Sequence, residues 1–309
     1  MTRFLIGAGG WAYFQVPSED SLSAYAKTFN FVEVNSTFYE YPEHHMVRSW
    51  RKRTPADFEF TVRCHRDVTH KHRLEPSNEN VACLERMVDI CSSLDASIIH
   101  MQIPQEIEFD KRVTEFRDLL HSVHLGDVRI ALETARGKAN ALGSQGISVM
   151  KDLNVIHCVD LSQEEPAYES DIVYTRLFGP KDDNVYQFSD EELTEINTKA
   201  SEPRFEKSIL AFHGVKMYKD AARLRIYRGT GTLPMVTSSQ GLDSLREILS
   251  EDATFPTAKN TLIADQGWKI MDQTAEKRIR AETMLSTLPD RQYCSVDDVI
   301  SALKQSRRT

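Results

Sequence analysis

An eight-stranded α/β barrel with a small C-terminal α+β appendage is the fold this sequence predicts, and three observations predict it. Eight short apolar runs recur over the first three quarters of the chain. Amphipathic segments of helical period separate most of them. The polar residues within the runs share one strand parity, which a closed interior explains and an open doubly wound sheet does not.

The eight runs are Phe4 to Gly9, Phe31 to Ser36, Glu59 to His65, Ser97 to Ile103, Val128 to Thr134, Val155 to Asp160, Ile172 to Phe178 and Lys207 to His213. Leu22, Tyr25, Ala26 and Phe29 fall on one face of a first helix, which Asn30 can end. Val81, Leu84, Val88, Cys91 and Leu94 form the stripe of a third, and Val113, Phe116, Leu120 and Val123 that of a fourth. Gly137, Gly143 and Gly146 weaken the fifth. Only residues 161–171, with Pro166 among them, are available for the sixth crossover, so a turn or degenerate helix is expected there. Ser189 and Glu192 form a capping box ahead of Leu193 and Ile196. The barrel is expected over residues 1–228, a linker over 229–234 (GTGTLP) and the appendage over 235–309. In the appendage the sequence predicts a helix around Leu242, Leu245 and Leu249. A β-hairpin is predicted to turn at Gln266 and Gly267, and a last helix to be capped by Ser295. The tail Arg307 and Arg308 reads as a solvated end.

Composition narrows the function. A net charge of −8 argues against a surface that grips nucleic acid along its length. Five cysteines without a C-x-x-C pair suggest neither a disulfide framework nor a zinc ribbon. No apolar run is long enough for a signal peptide or a bilayer span, so a cytoplasmic protein without a membrane partner is expected. There is no P-loop and no nucleophile elbow, and GAGGW at residues 7–11 lacks dinucleotide-loop spacing.

The inward parity supplies Glu33 and Asn35 from the second strand, Arg63 and His65 from the third, and His100 and Gln102 from the fourth. Glu133, Asp160, Arg176 and His213 come from the fifth to eighth. A barrel built only for stability can fill these positions with Val, Ile and Leu, so a polar pocket at the carboxyl ends of the strands is the functional expectation. A self-neutralised interior network is the structural alternative. His65, His100 and His213 with Glu33, Glu133 and Asp160 could hold a divalent metal. No H-E-x-x-H motif accompanies them, so hydrogen-bonded histidines are the simpler reading. Residues 48–73 carry eight Lys or Arg against Asp57, Glu59 and Asp67, a local balance of +5. The loop RCHRDVTHKHR would set His70, Lys71 and Arg73 along the mouth of the pocket and draw an anion there. Arg48, Arg51, Lys52 and Arg53 instead read as the wet side of a helix whose apolar side is Met46, Val47 and Trp50. Trp11, beside the glycines, and Tyr39 would join the binding surface.

GGW at 9–11, VEVNSTFY at 32–39, Thr69-His70, Gln102-Ile103-Pro104 and Glu133 carry a resemblance to the YecE-like proteins, domain of unknown function 72. It covers roughly residues 4–228 and implies a TIM barrel of undetermined activity. The sequence differs from that family's usual pattern at Phe178, where Arg-Leu-His-Gly is expected. It differs also at Ala135, where an arginine is expected, and at His213-Gly214, where Phe-Asn-Asn is expected.

The expectation is therefore an enzyme acting on an anionic substrate, a phosphoester or nucleic-acid component. Glu33, Glu133 or Asp160 would act as base or metal ligand and His70 as acid or phosphate contact. Arg63 and Arg176 would stabilise charge, with Trp11, Asn35, Tyr39, His65, Lys71, Arg73, Gln102 and His213 contacting substrate. A non-catalytic module binding nucleic acid or a phosphometabolite, and a sugar isomerase or epimerase, are the alternatives.

Overall fold

The structure is a computed structural model that describes residues 2–134, 142–180 and 184–306. Gly137, Ala135 and the tail at Arg307 and Arg308 lie outside the described residues. Eight parallel strands, β1 (Arg3–Ala8), β2 (Phe31–Val34), β3 (Glu59–Arg63), β4 (Ile98–Gln102), β5 (Arg129–Glu133), β6 (Ile156–Cys158), β7 (Ile172–Leu177) and β8 (Lys207–Phe212), run in the order β6-β5-β4-β3-β2-β1-β8-β7. The seam between β6 and β7 is joined by one bridge, Val159 to Thr175. There the Val159 amide donates to Tyr174 O at 3.3 Å and the Arg176 amide to Val159 O at 3.1 Å. The expected barrel forms. Its weakest join sits beside the shortest strand, as the poor sixth crossover foreshadowed.

Side-chain parity organises the interior in two layers. Leu5, Phe31, Ile98, Ala131, Ile156, Cys158, Tyr174, Ile209 and Ala211 form one buried cluster. Two residues further along the same strands, on the same parity, stand Glu33, His100, Glu133, Arg176 and His213. An apolar floor thus carries a polar layer at the carboxyl ends. The opposite parity, including Val32, Val34, Val62, Met101, Leu132 and Leu210, is equally buried, as expected for strands covered on their outer face by helices. At the amino ends Glu59 pairs with Arg3 at 2.6 Å and with Lys207 at 3.0 Å.

Local chemistry sets the helices. α1 (Ser21–Thr28) is capped by Asp20, whose carboxylate accepts the Ser23 amide at 2.9 Å. Asn30, expected to end this helix, instead ties β1: its Oδ1 accepts the Ile6 amide and its Nδ2 donates to Phe4 O. α2 (His44–Lys52) buries Val47 and Trp50 but leaves Met46 44% exposed, so its apolar side is narrower than expected. α3 (Asn78–Leu94) buries Leu84, Cys91 and Leu94 of its expected stripe together with Met87 and Ile90, leaving Val81 and Val88 half-buried, and α4 (Val113–His121) buries Phe116 and Leu120. α5 (Ser144–Asp152) forms despite its glycines, because Asp110 packs where side chains would be. A Cβ on Gly143 would lie 1.7 Å from Asp110 Oδ2, and the Gly146 amide donates to Asp110 Oδ1 at 2.7 Å. No helix links β6 to β7. α6 (Asp190–Ala200) opens with the full capping box, the Ser189 amide donating to Glu192 and the Glu192 amide to Ser189 Oγ.

The chain divides into two compact units, one within Met1–Phe178 and Ile196–His213, the other Gly179–Glu195 with Gly214–Thr309. In the second unit α7 (Met217–Thr230) runs on through Gly229 and Thr230 and is closed by Gly231 at φ 76°. α8 (Leu242–Asp252) and α11 (Val296–Ser306) pack Leu245, Leu249, Val299 and Leu303 into a separate core. Ser295 caps α11 by accepting the Asp298 amide at 3.1 Å. The predicted hairpin at Gln266 and Gly267 is corrected. Residues Lys259–Gln266 are a helix, α9, with Leu262 and Gln266 buried one turn apart. The strand that follows, β10 (Ile270–Asp272), pairs with β11 (Arg278–Arg280) around a turn in which the Gln273 amide donates to Lys277 O. The short apolar run of Leu262, Ile263 and Ala264 ahead of Gln266 and Gly267 suits a strand as well as a helix, and its length alone does not choose between them. β9 (Thr257–Ala258), β12 (Gln292–Tyr293) and α10 (Ala281–Leu285) complete the unit. No helix among the described residues is long and apolar enough to cross a membrane.

Candidate active site at the carboxyl ends of the strands

Arg176, on β7 and 2% exposed, is the hub of the polar layer. Its Nε and Nη2 reach Glu33 Oε1 at 3.2 and 3.1 Å, and its Nη1 reaches Glu133 Oε2 at 2.5 Å. Glu33 Oε2 accepts the Tyr174 hydroxyl at 2.8 Å, and that hydroxyl lies 2.8 Å from Thr61 Oγ1 across the barrel. His100 Nε2 is 3.0 Å from Glu133 Oε2, while its Nδ1 has no hydrogen-bond partner. Burial would push the Glu33 carboxyl up, but the charge of Arg176 beside it, with Arg63 further off, holds it at about 2. Burial, then the charge of Arg176, lowers the His100 and His213 imidazoles below their usual 6.5 against the opposing pull of Glu33, so both are neutral at pH 7.

Arg63, on β3 and 9% exposed, is held differently. Its Nη1 donates to Asn35 Oδ1 and its Nη2 to Gln102 Oε1, each at 2.6 Å, and its guanidinium lies 3.8 Å over the Phe38 ring. Its Nε is buried without a partner. Two amide carbonyls orient this cation without neutralising it. The turn Ser36–Phe38 after β2 is pinned there by Thr37, whose hydroxyl lies 2.7 Å from Val34 O and 2.6 Å from Arg63 O.

His213, directly after β8, is 8% exposed. It stacks on Phe178 at 4.4 Å, and its Nε2, without a hydrogen-bond partner, lies 3.5 Å from Glu33 Oε1. Gly9 makes this possible, since a Cβ there would stand 2.1 Å from the imidazole.

Other expected site residues are placed apart from this cluster. Asp160 falls beyond the short β6, and its carboxylate accepts Ser162 N and Oγ on one oxygen and Phe178 N at 2.8 Å on the other. It clamps the loop to the end of β7. His65 stacks on Tyr41 at 4.1 Å and accepts the Asp67 amide. His70, on the single π-turn Asp67–Lys71, is exposed, bonds Thr69 Oγ1 at 2.8 Å and meets the Phe38 ring edge-on at 5.2 Å. Burial and then Arg63 lower its pKa. Lys71 and Arg73 are exposed on the same loop, Tyr39 is 59% exposed, and Trp11 sits edge-on against Trp50. Of the second basic run, Arg51 turns inward to Phe58 O and Pro55 O, and Arg53 pairs with Asp20.

A divalent metal does not fit the polar layer. Among the described residues no three His, Cys, Asp or Glu side chains are placed to hold one. The space between Glu33 and Glu133 is filled by a guanidinium, and a divalent ion about 4 Å from it would meet a repulsion on the order of 8 kcal/mol at an effective dielectric of about 20. Tyr174, Thr61 and Phe38 drew no role from the sequence, and Phe178 stood out only as a departure from the family pattern. The parity that found Arg176 and Arg63 also marks Tyr174 and Thr61, two residues earlier.

Residues 5–228 match the family model described as "Protein of unknown function DUF72". A DUF72 family protein of Thermotoga maritima, known as a crystal structure, is 18% identical, with a TM-score of 0.59 over 74% of this chain and 99% of that one. One from Enterococcus faecalis is 16% identical, with a TM-score of 0.58 over 75% and 98%. At these identities the likeness establishes the barrel fold. A search of curated proteins finds no match.

Proposed function

The chain belongs to the DUF72 family, and from the geometry of its own site we propose that it is an enzyme whose pocket at the carboxyl ends of the strands takes an anionic substrate of the phosphoester class. The observation that carries this reading is Arg63, a nearly buried cation held by two neutral amide carbonyls, those of Asn35 and Gln102. An oxyanion placed there gains a charge-assisted pairing that no carboxylate competes for directly. His70, Lys71 and Arg73 on the neighbouring loop add long-range attraction.

His213 supplies the proton-transfer group. It is neutral and buried, and it is held between Phe178 and Gly9. Accepting a proton from water or a substrate hydroxyl would make it an imidazolium beside a carboxylate that Arg176 keeps ionised, so the new charge is met by one already in place. Arg63 would meanwhile face the negative charge that grows on the phosphoryl oxygens. Glu133, His100, Tyr174 and Thr61 fix the carboxylates and take no part in bond making.

The test is turnover of an activated phosphodiester together with binding of inorganic phosphate. Arg63→Gln should weaken phosphate binding by roughly ten- to a hundredfold, the worth of a charge-assisted hydrogen bond. His213→Asn should leave binding in place and lower kcat by about 10² or more. Phosphate binding without turnover, unchanged in His213→Asn, would instead favour a non-catalytic binding module.

A further inference from the structure

Tyr39 closes the turn Ser36–Phe38 with 59% of its surface exposed, although a tyrosine ring contributes most when it is buried. The backbone beneath it is fixed. Its amide donates to Ser36 O at 3.0 Å, and the Thr37 hydroxyl, two residues earlier, reaches both Val34 O and Arg63 O. The ring is therefore held out of the core on a turn tied to the strand end that supplies Arg63.

Phe38 joins this exposed ring to the buried cation. The Arg63 guanidinium lies 3.8 Å from the Phe38 centroid, and the Tyr39 and His70 rings stand 5.0 and 5.2 Å from it, inclined by 85° and 83°. One cation and three rings thus form a continuous group. Lys71 and Arg73, exposed on the loop that carries His70, add positive charge beside it.

We propose that the phosphoester this pocket takes is a nucleotide, its phosphate paired with Arg63 and its base stacked on Tyr39. A pinned ring next to a cation is the combination with which proteins hold nucleotide units, because every base offers a π-face and every unit a phosphate. Stacking of this kind recognises a base without choosing which one. With −8 overall the chain lacks the extended basic track that a polynucleotide requires, so the site takes one nucleotide unit, free or at the end of a nucleic-acid strand.

The assignment rests on the phosphoester reading, and two ligands with one phosphate each separate the two. Adenosine 5′-monophosphate and ribose 5-phosphate differ by the base alone. Both are titrated by calorimetry into the wild-type chain, Tyr39→Ala, Tyr39→Phe, Arg63→Gln and Tyr13→Ala, the last removing a ring that is 83% exposed but outside this cluster. Wild type should bind the nucleotide about tenfold or more tighter than ribose 5-phosphate, the worth of stacking one base. Tyr39→Ala should erase that ratio, Tyr39→Phe and Tyr13→Ala should keep it, and Arg63→Gln should weaken both ligands together. A short oligodeoxyadenylate that binds no tighter than the mononucleotide marks a free nucleotide as the ligand, and one that binds tighter marks a strand end, each with the Tyr39 dependence intact. Equal affinity of the two ligands in the wild type, or a ratio that survives Tyr39→Ala, would overturn the base site while leaving the phosphate site standing. Binding of neither ligand would overturn both.

Discussion

At the residue scale the two arginines of the polar layer are held differently, and their proposed roles follow from that difference. Arg176 is neutralised by Glu33 and Glu133, whereas Arg63 is positioned by Asn35 and Gln102. Replacing Asn35 with Asp would hand Arg63 a carboxylate, so Asn35→Asp should weaken phosphate binding at least tenfold without unfolding the chain, measurable by calorimetry. Gly9→Ala should move His213 and lower turnover about 10²-fold while far-ultraviolet circular dichroism stays unchanged, since the added methyl meets the imidazole and little else. Most of this layer was legible beforehand because strand parity is strict. Glu33, Arg63, Glu133 and Arg176 could be placed in one interior from period-2 counting alone. What counting cannot supply is pairing. Nothing in the order of residues shows which carboxylates reach which guanidinium, or that Phe178 and His213, two departures from the family pattern, meet in space as a stacked pair.

At the scale of elements, Asp160 teaches the limit of the method. It shares parity with the polar set, yet β6 stops at Cys158, and past a strand end parity no longer fixes direction. Its carboxylate is spent on loop amides. Asp160→Ala should therefore cost about 2–4 kcal/mol of stability by leaving the Phe178 and Ser162 amides without their acceptor. Denaturant unfolding would measure it, and phosphate affinity should be little changed. The capping box at Ser189 was readable because both of its members lie within four residues. Asp110 filling the space at Gly143 and Gly146 was not, because that contact spans more than thirty positions. The helix at Lys259–Gln266 was misread for a related reason, since its packing partner α10 lies later in the chain.

For the whole molecule, the ionisation of the polar layer ties stability to pH. Glu33 has its carboxyl depressed from 4.5 to about 2, so it contributes stability above pH 4.5 that is lost as pH falls toward 2, on the order of 3 kcal/mol. His100 and His213 are depressed from 6.5 by burial beside Arg176, so the unfolded chain takes up their protons first, and their contribution is lost as pH falls below 6.5. Both effects have the same sign. Stability should be steady from neutral pH down to about 6.5 and then decline, steeply below 4.5; a chain more stable at pH 4 than at pH 7 would contradict the ion network described here. Because the molecule carries −8 overall, anion capture must depend on the local cations, and it should weaken as salt rises.

The position of a bound oxyanion tests the central claim most directly. In crystals soaked with tungstate, whose scattering is unmistakable, an anion should stand against Arg63 and be lost in Arg63→Gln. Tungstate bound elsewhere, or an occupied site that survives that substitution, would contradict it.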